Sequence, residues 1–96
     1  MKRKERTHNM RFSHINHGTC SRSVSFDIDG ERKLRNVEFS GGCSGNTQGI
    51  CRLAEGMDAA EAMERMSGIR CGYKPTSCPD QLAEAIKQAL EEIKNA

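Results

Sequence analysis

A change in hydrophobic periodicity at Gly41-Gly42 constrains the fold of this chain more than any other feature of its sequence. Before the change, residues 20–28 alternate in the manner of a half-buried strand, with Val24, Phe26 and Ile28 in one phase. Residues 33–40 give a second strand, and the Asp29-Gly30 turn lies between the two. A connection this short predicts an antiparallel hairpin over residues 20–40. The sequence leaves open whether residues 11–17 add another strand.

After the glycine pair, apolar residues recur with the period of an α-helix. Helices are predicted near residues 47–55, 58–67 and 79–94, with Asp58 capping the second and Pro79 opening the third. One face of the last helix carries Leu82, Ile86, Ala89, Leu90 and Ile93. Strands followed by helices predict an α+β fold, an antiparallel β-hairpin or small sheet followed by three helices.

The charge of the chain is unevenly distributed. The first eleven residues hold five basic side chains and one acidic side chain, whereas the remainder holds ten basic and twelve acidic ones. This pattern predicts a basic, disordered extension over residues 1–12 and one domain over residues 13–96. Nucleic-acid binding is not expected of the domain, because such binding needs a basic face.

The cysteine content points to a reducing compartment. No apolar run approaches the roughly 20 residues that cross a membrane, and no apolar stretch of a signal peptide follows the basic head. Five cysteines in a chain without an export signal are more often metal ligands or redox groups than structural disulfides. We therefore expect a cytoplasmic protein without a membrane partner.

Four of the cysteines, Cys20, Cys43, Cys71 and Cys78, lie where regular structure begins or ends, which allows them to converge. Cys78 is predicted at the N-cap of the last helix, where the helix dipole favours a thiolate. Four thiolates suit zinc or an iron–sulfur cluster equally well. None of the spacings is that of a zinc knuckle, so small buried hydrophobic side chains are the competing interpretation. Cys51 lies inside a helix and is expected to pack.

The histidines and the remaining motifs offer little further chemistry. His17 is the histidine that could approach the cysteines, while Asp80 is expected to compensate the helix dipole. The chain contains no Ser-His-Asp arrangement, P-loop or dinucleotide-binding fingerprint. We therefore assign no catalytic residue and do not expect an enzyme that acts on its own.

Residues 76–82 read Thr-Ser-Cys-Pro-Asp-Gln-Leu, and this run resembles the signature of the TSCPD domain family. Gly42-Cys43 and Cys71-Gly72 extend the resemblance, which points to the stand-alone branch of small bacterial proteins marked by four cysteines. Related domains stand at the C-terminal end of cobalamin-dependent ribonucleotide reductases. The resemblance thus implies an association with thiol and deoxynucleotide chemistry.

A more distant resemblance is to NifU-like iron–sulfur cluster assembly scaffolds. Those proteins are similar in the Gly-Cys-Ser turn at residues 42–44 and in the cysteine, here Cys78, before a final helix that reads Leu-Ala-Glu-Ala-Ile. Cys71 departs from that pattern, because the equivalent ligand immediately precedes the last cysteine. This resemblance implies metal binding and a scaffold-like role.

The leading hypothesis is a small cysteine-rich metal-binding protein that holds zinc or an iron–sulfur cluster. One alternative is a redox module in which Cys78 and either Cys71 or Cys43 cycle between dithiol and disulfide. Another is an accessory interaction domain associated with ribonucleotide reduction. Each hypothesis implies a protein partner in metal or thiol metabolism.

Overall fold

The computed structural model describes residues 9–42 and 44–95, with Ser44 described through its backbone alone. Three strands come first and three helices follow. The strands are β1 Met10–Ile15, β2 Ser21–Ile28 and β3 Leu34–Gly41, and the helices are α1 Ser44–Ala54, α2 Ala59–Met66 and α3 Cys78–Asn95. This order confirms the α+β prediction, in the form of a small sheet followed by three helices.

The three strands form one antiparallel sheet in the order β1-β2-β3. The predicted β2–β3 hairpin is present, and Asp29 organises its turn by accepting the N–H groups of Glu31 and Lys33, each at 2.9 Å. Two irregularities in the pairing of β2 with β3 lie between Ser21 and Ser23 and between Ser25 and Asp27. The first of them sits where β2 meets the cysteine-bearing segments described below.

Strand β1 begins at Met10, so regular structure starts before residue 13, the predicted start of the domain. Residues 10–12, predicted as part of the basic extension, pair with β2, and the Phe12 ring lies 5.9 Å from that of Phe26. Arg11 looks like part of the charged head, but its guanidinium pairs with Asp27 and Glu38 on the two neighbouring strands. Its charge therefore belongs to the sheet surface. The rest of the predicted extension, residues 1–8, lies outside the described residues.

The core lies between the sheet and the helices. α3 lies against β1 and β2, α1 lies against β3, and α2 packs on α3. Buried alanines on all three helices, including Ala54, Ala62 and Ala85, are part of this core. The largest fully buried side chains are Val24, Phe26, Ile28, Leu34, Leu82 and Ile86. This packing fixes the start of α3 beside the start of β2.

The connection between α1 and α2 is tied to the first residue of β3. Leu34 donates its N–H to the Met57 carbonyl at 2.9 Å and accepts the N–H of Gly56 at 2.7 Å. Asp58 caps α2, as predicted, by accepting the N–H of Glu61 at 3.0 Å. Across residues 9–42 and 44–95, the helices are all too short or too polar to cross a membrane.

Candidate functional site

Three of the four cysteines predicted to converge line one cavity of about 230 Å³. Cys20 immediately precedes β2, Cys71 lies in the loop between α2 and α3, and Cys78 is the first residue of α3. The remaining wall of the cavity is formed by Asn46, Thr47, Ile50, Ser77 and Pro79. Residues from three different segments, each with a cysteine, therefore line one cavity.

The three thiols differ in exposure, and the fourth predicted cysteine is not among the described residues. Cys20 and Cys71 are exposed, whereas Cys78 is half-buried, and all three are free. In the described part of the chain, no three His, Cys, Asp or Glu side chains are arranged to hold a metal ion. Cys43 lies outside the described residues, between Gly42 and the start of α1.

Cys78 makes a polar contact that the sequence pattern does not predict. Its Sγ lies 3.0 Å from the hydroxyl oxygen of Ser21, the first residue of β2. The same hydroxyl accepts a hydrogen bond from Asn16 Nδ2 at 2.8 Å. The Thr19 hydroxyl donates to the Ser21 carbonyl at 3.0 Å. A set of hydrogen-bonded polar groups in the turn before β2 therefore reaches the Cys78 sulfur.

Gly42 lets the end of β3 approach Ser21 closely. Its φ is +87°, and a Cβ at this position would lie 3.0 Å from Ser21 Cβ and 3.2 Å from Ser21 Cα. A side chain here would be strained by both its backbone conformation and its neighbour. The glycine-rich turn thus brings the chain that leads into α1 against the residue that contacts Cys78.

Ser77, rather than Cys78, caps α3. The Ser77 hydroxyl oxygen accepts the N–H of Asp80 at 3.2 Å and donates to the Ile69 carbonyl at 2.7 Å. Our prediction of Cys78 at the N-cap was wrong by one residue, because a serine oxygen is a much better cap acceptor than sulfur. Pro79 is accordingly the second helical residue and not the first.

Asp80 and Gln81 hold the surrounding segments to α3. Asp80 accepts the N–H of Gly68 at 2.7 Å and the hydroxyl hydrogen of Thr76, so its role exceeds the predicted compensation of the helix dipole. Gln81 donates to Thr76 Oγ1 at 3.1 Å, and its Oε1 accepts the backbone N–H of His17 at the same distance. The His17 ring is exposed and does not line the cysteine cavity.

These contacts assign a structural task to most of the run at residues 76–80, which builds the start of α3 and ties the Cys71 loop to it. The family model of the TSCPD domain matches residues 1–90. The chain belongs to this family. No curated protein and no solved structure is significantly similar to it.

Within the signature of this TSCPD domain, some residues stabilise the fold and some line the cysteine cavity. Thr76, Ser77 and Asp80 hold loop and helix together, while Cys78 turns its sulfur to the cavity and to Ser21. Thr76 also lies where a Cβ on Gly18 would come within 3.0 Å of its methyl group. The turn that leads to Cys20 therefore packs closely against Thr76.

Cys51 belongs to a different environment, as predicted. It is half-buried, packs against the core and lines a separate cavity of about 280 Å³ with Phe39 and Arg52 among its neighbours. Burial raises the pKa of the Cys51 thiol, and the nearby Glu38 carboxylate adds to the rise. A thiol of this kind is less readily ionised than an ordinary cysteine, which does not suit a ligand or nucleophile.

Proposed function

We propose that this TSCPD domain binds zinc or an iron–sulfur cluster through Cys20, Cys43, Cys71 and Cys78. The observation that carries the proposal is the shared cavity, into which three separate segments deliver a cysteine while Cys51 faces elsewhere. Packing alone does not account for this division. A cysteine that served only as a small hydrophobic residue would be buried, yet Cys20 and Cys71 are exposed.

The donor set suits a soft metal. Apart from three cysteines, the described residues of the cavity wall offer amide, hydroxyl and apolar side chains, and none of them is a carboxylate or an imidazole. Thiolates select zinc and iron–sulfur clusters over the hard cations that carboxylates prefer. The position of Cys78 at the start of α3 adds a favourable dipole for the negative charge of a metal-bound thiolate.

Cys43 is the proposed fourth ligand because of the residues on either side of it. Gly42 is packed against Ser21, which contacts Cys78, and Asn46 and Thr47 of α1 line the cysteine cavity. The sequence around residue 43 is thus attached to the site at both ends. Four thiolates would complete the tetrahedral set that zinc requires.

Binding also requires the cysteines to draw together. Among the described residues no three ligands are already arranged for one ion, and the thiols of Cys20 and Cys71 are exposed. Closing these side chains on a metal orders the turn before β2 and the loop before α3. Metal binding is therefore expected to stabilise the fold, and a chelator is expected to remove that stabilisation.

The test is elemental analysis and an absorption spectrum of protein purified without oxygen. We expect stoichiometric metal, either as zinc in a colourless protein or as iron and sulfide in a brown one. A chelator should lower the melting temperature. Protein that carries no stoichiometric metal, takes up neither zinc nor iron with sulfide, and melts at the same temperature with chelator would contradict the proposal.

The second candidate is a thiol redox module, which the exposure of Cys20 and Cys71 at one cavity favours. Two thiols would form a disulfide while their two electrons and two protons pass to a disulfide partner, which becomes a dithiol. This alternative predicts a reversible loss of two hydrogen masses and no bound metal. Mass spectrometry after mild oxidation with a disulfide such as oxidised glutathione, followed by reduction, separates it from metal binding.

The biological setting that we propose follows from the same cysteines. Exposed thiols and thiolate ligands persist in a reducing compartment, which favours the cytoplasm. Through its family, the domain is proposed to serve a protein partner in metal or thiol metabolism, with ribonucleotide reduction as the associated process. We propose this as an accessory or scaffold-like role and assign no catalysis to the domain alone.

A further inference from the structure

We infer that Ser21 is a positioning residue for the metal centre, and that Asn16 sets the direction in which the Ser21 hydroxyl donates its hydrogen bond. This inference rests on the proposed function and deepens it. In its simplest form, a chain of hydrogen bonds runs from the Asn16 amide through the Ser21 hydroxyl to the Cys78 sulfur.

The Ser21 hydroxyl is placed to donate to a metal-bound sulfur. Its oxygen lies 3.0 Å from Cys78 Sγ, and only 3% of Ser21 is exposed, so water does not compete freely for this contact. A thiolate that binds metal carries no hydrogen and can act only as acceptor. The hydroxyl must therefore be the donor in the metal-bound state, and the negative charge strengthens the bond.

Asn16 is oriented in the way that this donation requires. Its Nδ2 donates to Ser21 Oγ at 2.8 Å, which occupies a lone pair of the hydroxyl and leaves its hydrogen free for the sulfur. If the amide were reversed, its oxygen would take the Ser21 hydrogen instead. The observed orientation leaves Asn16 Oδ1 buried and without a hydrogen-bond partner in the described part of the chain.

Thr19 is the other polar neighbour of the Ser21 hydroxyl. Thr19 uses its own hydrogen on the Ser21 carbonyl at 3.0 Å, and its oxygen lies 3.2 Å from Ser21 Oγ as a neutral alternative acceptor. A thiolate is the stronger acceptor because it is charged. Metal binding at Cys78 is thus expected to draw the Ser21 hydrogen toward the sulfur.

Both ends of the contact stand on regular structure. Ser21 opens β2 and is pressed by Gly42, while Cys78 opens α3. Within the described residues, no hydrogen bond restrains the exposed thiols of Cys20 and Cys71 in this way. Among the described cysteines of the site, Cys78 is therefore the one that is positioned before metal arrives, and Ser21 positions it.

The test compares Ser21→Ala with Ser23→Ala in the full chain. Ser23 lies on the same strand and is half-buried, so its replacement removes the same atom away from Cys78. Zinc affinity is measured by competition with a chromophoric chelator. Outer-shell partners of metal ligands typically change affinity 10- to 100-fold, so we expect a loss of at least about tenfold in Ser21→Ala and less than about twofold in Ser23→Ala.

A spectroscopic measurement separates positioning from a general loss of structure. In cobalt-substituted protein, loss of a hydrogen bond to a thiolate makes the sulfur a better electron donor. The sulfur-to-cobalt charge-transfer band should therefore move to longer wavelength in Ser21→Ala and stay in place in Ser23→Ala. A merely structural role for Ser21 would leave the band position of the bound metal unchanged.

A double variant guards against misfolding of the single one. Ser21→Ala leaves the buried Asn16 amide unpaired, whereas Asn16→Leu/Ser21→Ala removes both polar partners and is expected to be tolerated better. Wild-type zinc affinity and band position in whichever variant is folded would overturn the inference while the proposed function stands. A wild-type protein that binds no metal would overturn both, so the two failures are distinguishable.

Discussion

Serine in place of any one of the four site cysteines is expected to lower metal content and melting temperature together. Serine is nearly isosteric with cysteine but is a poor ligand for soft metals. A tightly bound metal contributes about 2–4 kcal/mol to folding, so its loss should lower the melting temperature by roughly 10–20 °C in a domain of this size. The variants are Cys20→Ser, Cys43→Ser, Cys71→Ser and Cys78→Ser.

Cys51→Ser is the matched control, because Cys51 is half-buried in a separate environment. It should keep its metal and lose only a modest packing contribution. Metal stoichiometry and thermal melting are measured with and without chelator. Chelator should lower the melting temperature of the wild type to that of the site variants. Full metal retention in the Cys43 and Cys78 variants, or metal loss confined to Cys51→Ser, would contradict this assignment.

Phe26→Ala is expected to have the largest effect on the fold itself. Phe26 is fully buried in the centre of the sheet, where Phe12 packs against it. Removing a buried phenylalanine ring typically costs about 3–5 kcal/mol. Since small domains have only about 5–15 kcal/mol of stability in total, the variant should lose a large part of its free energy of unfolding.

Tyr73→Ala provides the control for this second prediction. Tyr73 is 99% exposed and lies in the loop before α3, so removing its ring should leave the unfolding free energy within about 0.5 kcal/mol of wild type. Both variants are compared by chemical denaturation followed by circular dichroism. If Phe26→Ala lowers the free energy of unfolding by less than about 1 kcal/mol, the core is organised differently.

The hairpin and the three helices follow from local pattern, because each buries one face with the period of its own structure. The sequence of strand β1 shows no such pattern. Its inward side chains are Phe12 and His14, which are half-buried, and Arg11 makes the segment look like a solvated head. Pairing with β2 and the ion pairs of Arg11 decide its structure, and both depend on residues distant in sequence.

The site shows the same division between local and distant information. Positions at the ends of elements predict that Cys20, Cys43, Cys71 and Cys78 could converge. Three of them, Cys20, Cys71 and Cys78, line one cavity, while Cys43 lies outside the described residues. The hydrogen bond between Ser21 and Cys78 joins residues 57 positions apart, so no local sequence pattern predicts it. The same holds for Asp80, whose carboxylate reaches back to Gly68.

X-ray absorption at the edge of the bound metal gives a direct test of four-cysteine ligation, because it counts the sulfur atoms around that metal. For a zinc protein, we expect a first shell of four sulfurs at about 2.3 Å and no nitrogen or oxygen ligand. For an iron protein, we expect a first shell of sulfur alone. A first shell of nitrogen or oxygen, or one with fewer than three sulfurs, would contradict it.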